Sequence, residues 1–187
     1  MTLLEMKKKV LGMIEEVAPN HENLTEDPDI AAKFNDVTNQ VMFEMARMKK
    51  IPKYVEFEVK EGEIIDFSKI EKESGYEVYQ INTAKGVNNE FVAQGTLVKV
   101  FESGTLCVDF SVYPERITEK TKDKGYEFEL TPDVLEIMPY GVAADLLKSD
   151  VSAEYGNIYA ARYEAMKQNL DPRFQMTTVY VDGGYDI

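Results

Sequence analysis

Three kinds of residue in this chain could begin a reaction: a histidine, a thiol and closely spaced carboxylates. His21 is the only histidine, so a nucleophile–histidine–acid triad would have to use it. It stands between Asn20 and Glu22 in a polar stretch, with nothing apolar nearby in sequence to tune it, and reads as a solvated loop residue. Cys107 is the only cysteine. It lies out of phase with Leu106 and Val108 on an alternating run, and no Lys, Arg or His adjoins it to favour a thiolate. It reads as a small packing residue, and a lone thiol allows neither an intrachain disulfide nor a cysteine-based zinc site.

The carboxylates are more numerous. Glu56 and Glu58, and again Glu127 and Glu129, are spaced to share one face of a strand. Together with Asp109 around a cleft, such acids could bind a ligand or act as the acid and base of a hydrolase. The same acids also keep an exposed strand face soluble and discourage edge-to-edge pairing. The chain has no tryptophan, the usual platform for a sugar ring. Asp182-Gly183-Gly184-Tyr185-Asp186 lacks the spacing of an EF-hand loop. There is no glycine-rich phosphate loop with its lysine. Basic residues cluster only at Lys7 to Lys9 and at Lys120, Lys122 and Lys124, neither of which resembles a nucleic-acid-reading element. No catalytic residue, metal or cofactor is therefore expected.

Aromatic residues carry a different message. Tyr155, Tyr159 and Tyr163 recur at steps of four, which places them on one face of a helix. Core packing explains such a stripe most simply. Contact with another subunit is the alternative, because a tyrosine ring is apolar and its tip is polar. Tyr180, Val181 and Tyr185, in an extended C-terminal segment, are further candidates for partner contact.

The elements that must position these residues follow from two periods. Leu3, Met6, Val10, Met13, Ile14 and Val17 predict a helix over 3–17. Asp27 as N-cap and Pro28 at the first helical position open a second helix. Its stripe is Ile30, Phe34, Val37, Val41, Met45 and Met48, widened by Ala31, Met42 and Ala46. Lys49, Lys50 and Pro52 close it. The period then falls to two. Val55 to Val59, Ile64 to Phe67, Tyr76 to Ile81, Phe91 to Ala93, Leu97 to Phe101, Leu106 to Val112 and Tyr126 to Leu130 predict six or seven short strands, with Ser103-Gly104 as a hairpin turn. Thr131 as N-cap and Pro132 start a third helix with the stripe Leu135, Met138, Val142 and Leu146. Pro139 falls inside that stripe and should kink the helix, while Gly141 allows a tight bend or close packing. Ser152 is the expected cap of a fourth helix, which reaches Leu170 and adds Met166 and Leu170 to the tyrosine stripe.

The predicted fold class is α+β: a four-helix core drawn from both chain ends, residues 1–50 with 131–171, carrying an inserted small antiparallel β sandwich or barrel at 51–130. Residues 172–187 form an extended tail. The 187 residues suit one domain with a sizeable insertion, and 44% apolar residues is ordinary for a folded protein. The 34 acidic against 21 basic side chains give a net charge of −13, which disfavours wrapping around DNA phosphates. No apolar run nears the roughly 20 residues needed to span a bilayer, and Met1 to Val17 lacks the apolar stretch of a secretory signal.

The wording at three places resembles the head-to-tail connector (adaptor, or neck) proteins of tailed bacteriophages and prophages. These are Leu24-Thr25-Glu26-Asp27-Pro28-Asp29, the strand end Val112-Tyr113-Pro114-Glu115-Arg116-Ile117-Thr118, and Ile137-Met138-Pro139-Tyr140-Gly141-Val142-Ala143-Ala144 followed by Tyr155 to Tyr163. The resemblance covers most of the chain in layout and about fifty residues in wording. It implies a structural virion protein, assembled in the bacterial cytoplasm, with no catalytic residues to carry over. Such a protein forms a ring, usually twelvefold, beneath the portal protein. It extends the channel through which double-stranded DNA passes without sequence-specific binding, and it docks further neck or tail-completion proteins.

Overall fold

Two periodicities divide the chain, and each builds its own apolar cluster. The computed structural model describes residues 1–16, 24–87, 90–148 and 153–170. Helices α1 (Leu3–Met13) and α2 (Pro28–Met48) come first. Strands β1 (Ile51–Val59) and β2 (Ile64–Asp66), helix α3 (Phe67–Ser74), and strands β3 (Val78–Val87), β4 (Phe91–Gln94), β5 (Leu97–Val100) and β6 (Gly104–Val112) follow. Helices α4 (Pro132–Leu147) and α5 (Ala153–Gln168) come last. The fold is α+β, with five helices and two small antiparallel sheets among the described residues.

Local chemistry sets most helix starts. Thr2 and Glu5 form a capping box, the Thr2 hydroxyl accepting from Glu5 N–H and the Glu5 carboxylate accepting from Thr2 N–H at 2.8 Å. Asp27 caps α2 as expected, accepting from Asp29 and Ile30 N–H. Helix α1 stops at Met13, four residues short of the predicted end, where Ile14 leaves the helical region and Glu15 turns to φ 61°. Val17 and His21 lie outside the described residues, as do Ser152 and the whole 171–187 segment.

The first cluster joins residues distant in sequence. Leu3, Met6 and Val10 of α1, Phe34, Val41 and Met45 of α2, Met138 and Val142 of α4, and Tyr163 of α5 share it. Ile117, Tyr126 and Phe128 belong to it as well. The alternation of Tyr126 to Leu130 is real, but it does not make a sheet strand. Its backbone meets the N-terminus instead, through a single bridge from Glu127 to Thr2, while the rings of Tyr126 and Phe128 meet edge to face at 5.2 Å. Burial, helped by the charges of Glu115 and Glu129, raises the pKa of the Tyr126 phenol, which stays protonated and donates to Glu115 C=O at 2.5 Å. Asn39 ties the returning chain to α2. Its amide donates to Ile117 C=O at 2.8 Å and its oxygen accepts from Ile117 N–H at 2.9 Å, as a neighbouring strand would.

Helix α4 is buried on nearly every side rather than along one stripe, with Val134, Ile137, Ala143 and Leu147 covered as well as Leu135 and Met138. It touches α1, α2 and α5, so little of its surface meets water. It continues through Pro139 to Leu147. Gly141 is used for close packing: a Cβ there would lie 2.8 Å from Tyr163 Cε2 and 3.0 Å from Val41 Cγ1. Glycine is the residue that lets α2, α4 and α5 meet at this point.

The second cluster lies between the sheets. One sheet has the order β1-β6-β3 and the other β2-β5-β4, all neighbours antiparallel. Leu106, Val108, Phe110 and Val112 of β6 point inward, with Phe57 opposite Leu106, and meet Ile65, Val98 and Val100 of the smaller sheet. Ser103-Gly104 is not a hairpin turn, because β5 and β6 belong to different sheets. The tight hairpin joins β4 to β5, where Gln94 pairs with Leu97 and Gly95 takes φ 58°. Helix α3 was not anticipated. Asp66 caps it, Gly75 ends it at φ 76°, and only Ile70 is buried, so it leaves almost no periodic trace in the sequence.

Candidate functional site

The last turns of α2 bring Phe43 and Arg47, one helical turn apart, against the end of the larger sheet. Tyr113 follows β6 directly, and its backbone N–H donates to Glu77 C=O at 3.0 Å, just ahead of β3. The chain leaves the strand at Pro114, and Arg116 reaches the same cleft before Ile117 is caught by Asn39.

These pieces frame an open cleft of about 600 Å³, with Phe43, Arg47, Met48, Glu77, Tyr113 and Arg116 in its walls. Phe43 and Tyr113 of its wall continue into a run of tilted rings. Phe43 and Tyr113 lie 4.8 Å apart between centroids, and Tyr113 and Tyr79 lie 4.7 Å apart. Tyr79 anchors the run by donating to Ala46 C=O at 2.8 Å, and burial pushes its pKa up, which keeps that proton in place. The two guanidiniums lie on these rings, Arg47 5.3 Å from the Tyr113 centroid and Arg116 4.8 Å from that of Phe43. Arg47 also donates its Nε–H to the Tyr113 hydroxyl at 2.5 Å.

Charge around the cleft is arranged unevenly. Glu44, also on its wall, is engaged: it accepts from the Tyr163 hydroxyl at 2.9 Å and from Lys167 at 2.7 Å. Burial, then the bond and charge of Glu44, raise the pKa of Tyr163, so it remains a donor. Burial works against the Lys167 ammonium, but Glu164 and Glu44 outweigh it and raise the lysine pKa. Lys7, Lys49, Lys53, Lys69 and Lys148 also pair with carboxylates. Among the described residues neither Arg47 nor Arg116 forms an ion pair.

The residues singled out from sequence scatter. Tyr163 is only 6% exposed and packs inside the chain, so its ring is not free for a partner. Tyr159 is half-buried and donates its hydroxyl to Met13 C=O. Tyr155 alone of the stripe stands out, 65% exposed, and the surface beside it comes from Ile158, at 59%, with exposed Ala161 and Ala165. Tyr180, Val181 and Tyr185 lie outside the described residues.

The acids are not brought together. Asp109 sits mid-strand on the outer face of β6, opposite Tyr54 and Thr83, and burial raises its pKa. Glu127 is exposed at the Thr2 bridge, and Glu129 lies 3.8 Å from Lys53. None of the three lines the cleft. Cys107 is half-buried beside Asp109; burial and then the charges of Glu56 and Asp109 push its thiol up, away from the reactive thiolate. Among the described residues no group of three or more His, Cys, Asp or Glu side chains is placed to hold a metal ion. No described helix is long and apolar enough to cross a membrane.

The cleft residues themselves were missed from sequence. Arg47 and Tyr113 are 66 positions apart, and the text around Tyr113 reads only as a strand end. The available signal was composition: the arginines of this lysine-rich chain are Arg47, Arg116, Arg162 and Arg173, and the first two flank predicted element ends. No protein-family model matches the chain, and no curated protein is similar enough in sequence to stand as a relative.

Proposed function

We propose that the chain is a non-catalytic structural subunit of a phage or prophage neck: a head-to-tail connector that assembles as a ring beneath the portal, extends the DNA channel and docks the next neck or tail component. On this reading α1, α2, α4 and α5 form a four-helix core from both ends of the chain, and the strands project from it. Assembly takes place in the host cytoplasm and the virion is the final location. The observation that carries the proposal is the sharing of one apolar cluster by residues from both chain ends, Leu3 to Met45 and Val134 to Tyr163, with strand residues gathered in a second. This is the plan that the resemblance of the closing helices implies.

Two further features support it. A net charge of −13 suits a channel that DNA must traverse without sticking. The outer face of α5, with Tyr155, Ile158, Ala161 and Ala165 uncovered, suits close approach by a neighbouring subunit. Native mass spectrometry of the chain, alone and with the portal ring of the same phage or prophage, tests the proposal. Ring-sized complexes at micromolar concentration are expected with the portal present, and a chain that stays monomeric in both samples contradicts it.

A further inference from the structure

We infer that the cleft between α2 and the larger sheet is a docking site for an acidic segment of a partner protein, one that presents a carboxylate next to an apolar side chain. The inference stands on the cleft alone and holds or fails independently of the neck reading.

The first ground is charge. Carboxylates outnumber basic groups 34 to 21 in this chain, yet the cleft gathers two guanidiniums. Among the described residues six lysines pair with carboxylates, and the two arginines of the cleft form no ion pair. Glu44, a carboxylate of the cleft wall, is held by Tyr163 and Lys167 instead. Glu77 on the rim pairs with neither, and its charge gives the cleft a direction by repelling an acid from that side.

The second ground is rigidity. Each guanidinium rests against a ring, and Arg47 is further fixed by its bond to the Tyr113 hydroxyl. Little side-chain freedom remains to be lost when a ligand arrives. Arginine carries five N–H donors in a planar fork, and the Nε–H of Arg47 is the one given to Tyr113. Of the other four, one from each terminal nitrogen can meet the two oxygens of a carboxylate. The third ground is apolar contact. Phe43, the Tyr113 ring and Met48, which is 40% exposed, offer apolar surface between and beside the charges. A peptide with alternating acidic and apolar side chains uses both. A duplex is disfavoured, because the remaining surface of so acidic a chain repels phosphates.

The test is a titration of the full chain followed by the arginine Nε–Hε resonances in NMR. The probes are a short blocked peptide alternating Asp or Glu with Leu or Phe, its Lys-for-acid counterpart, and a short DNA duplex. The acidic peptide is expected to shift the Arg47 and Arg116 signals with a Kd on the order of 100 µM. Raising salt from about 50 to about 300 mM should weaken it roughly tenfold. Arg116→Gln, which leaves the Arg47–Tyr113 bond in place, should weaken it at least about fivefold at an unchanged melting temperature. Arg47→Lys, which keeps the charge but loses the fork, should also weaken it. The inference is overturned if the acidic peptide leaves both signals unmoved or the basic peptide shifts them equally. It is also overturned if the duplex binds there and the acidic peptide does not. Concentration-dependent shifts without any probe would make the cleft a contact between copies of this chain, and that too overturns it.

Discussion

The helical cluster and the sheet cluster are both apolar, but they are held in different ways. Between the sheets, generic Val, Ile, Leu and Phe side chains meet, placed by the unbroken register of β6 with β1, while β3 pairs with β6 through two register shifts. In the helical cluster the pieces come from distant parts of the chain and meet through singular contacts. A glycine lies under a tyrosine ring, an asparagine mimics a strand, and a phenol is capped by a carbonyl. The lesson is that the first kind of core depends on buried area and tolerates trimming, while the second depends on shape and on satisfied polar groups.

The sharpest way to break this contrast is Asn39→Leu. It keeps the volume but leaves Ile117 N–H and C=O without partners in a buried place, and should destabilise by about 3–4 kcal/mol in urea unfolding. A loss below about 1 kcal/mol would mean that the strand mimicry matters little. Gly141→Ala comes next. Helix propensity alone favours alanine by about 1 kcal/mol, but the clash with Tyr163 and Val41 should reverse the sign to a net loss of about 2 kcal/mol. In the sheet core Ile65→Val, at a fully buried site, should cost only about 1 kcal/mol. If Ile65→Val exceeds Gly141→Ala, the contrast is wrong.

The smallest expected effect is electrostatic. Burial works against the Asp133 carboxylate, but its bond to Lys49, the Val134 N–H and the lysine charge outweigh this and hold its pKa at about 2. A carboxylate depressed on folding stabilises above its unfolded pKa and loses that contribution as pH falls toward the folded value. The Asp133 side chain is 44% exposed, so solvent screening reduces the pair to roughly 0.5–1 kcal/mol. Lys49→Met should therefore lower the melting temperature by about 2–3 °C at pH 7, and the difference from the parent should vanish as pH falls from about 4 to about 2. A difference that persists at pH 2 would assign the effect to packing.

What could be read from sequence divides along the same line. The start of α2 at Asp27-Pro28 and the inward face of β6 were legible, because each is set by residues within a few positions of one another. Helix α3 was not, since a single buried residue gives no period. The run Tyr126 to Leu130 alternates as a strand does, but its partner is the N-terminus, and alternation does not say who pairs. The steps of four between Tyr155, Tyr159 and Tyr163 were legible, but that Tyr163 would be covered depended on Gly141, in another helix. The cleft was the least legible, because neither Arg47 nor Tyr113 carries local information about the other.

Residues of helices from the two chain ends share one apolar cluster, and on the proposed reading those helices unfold as one cooperative unit, separate from the sheets. Native-state hydrogen exchange on Gly141→Ala tests it most directly. Amides of α2, α4 and α5 are expected to lose protection together and by the same amount, while those of β6 and β1 keep theirs. Equal loss in β6, or loss confined to α4, would contradict it.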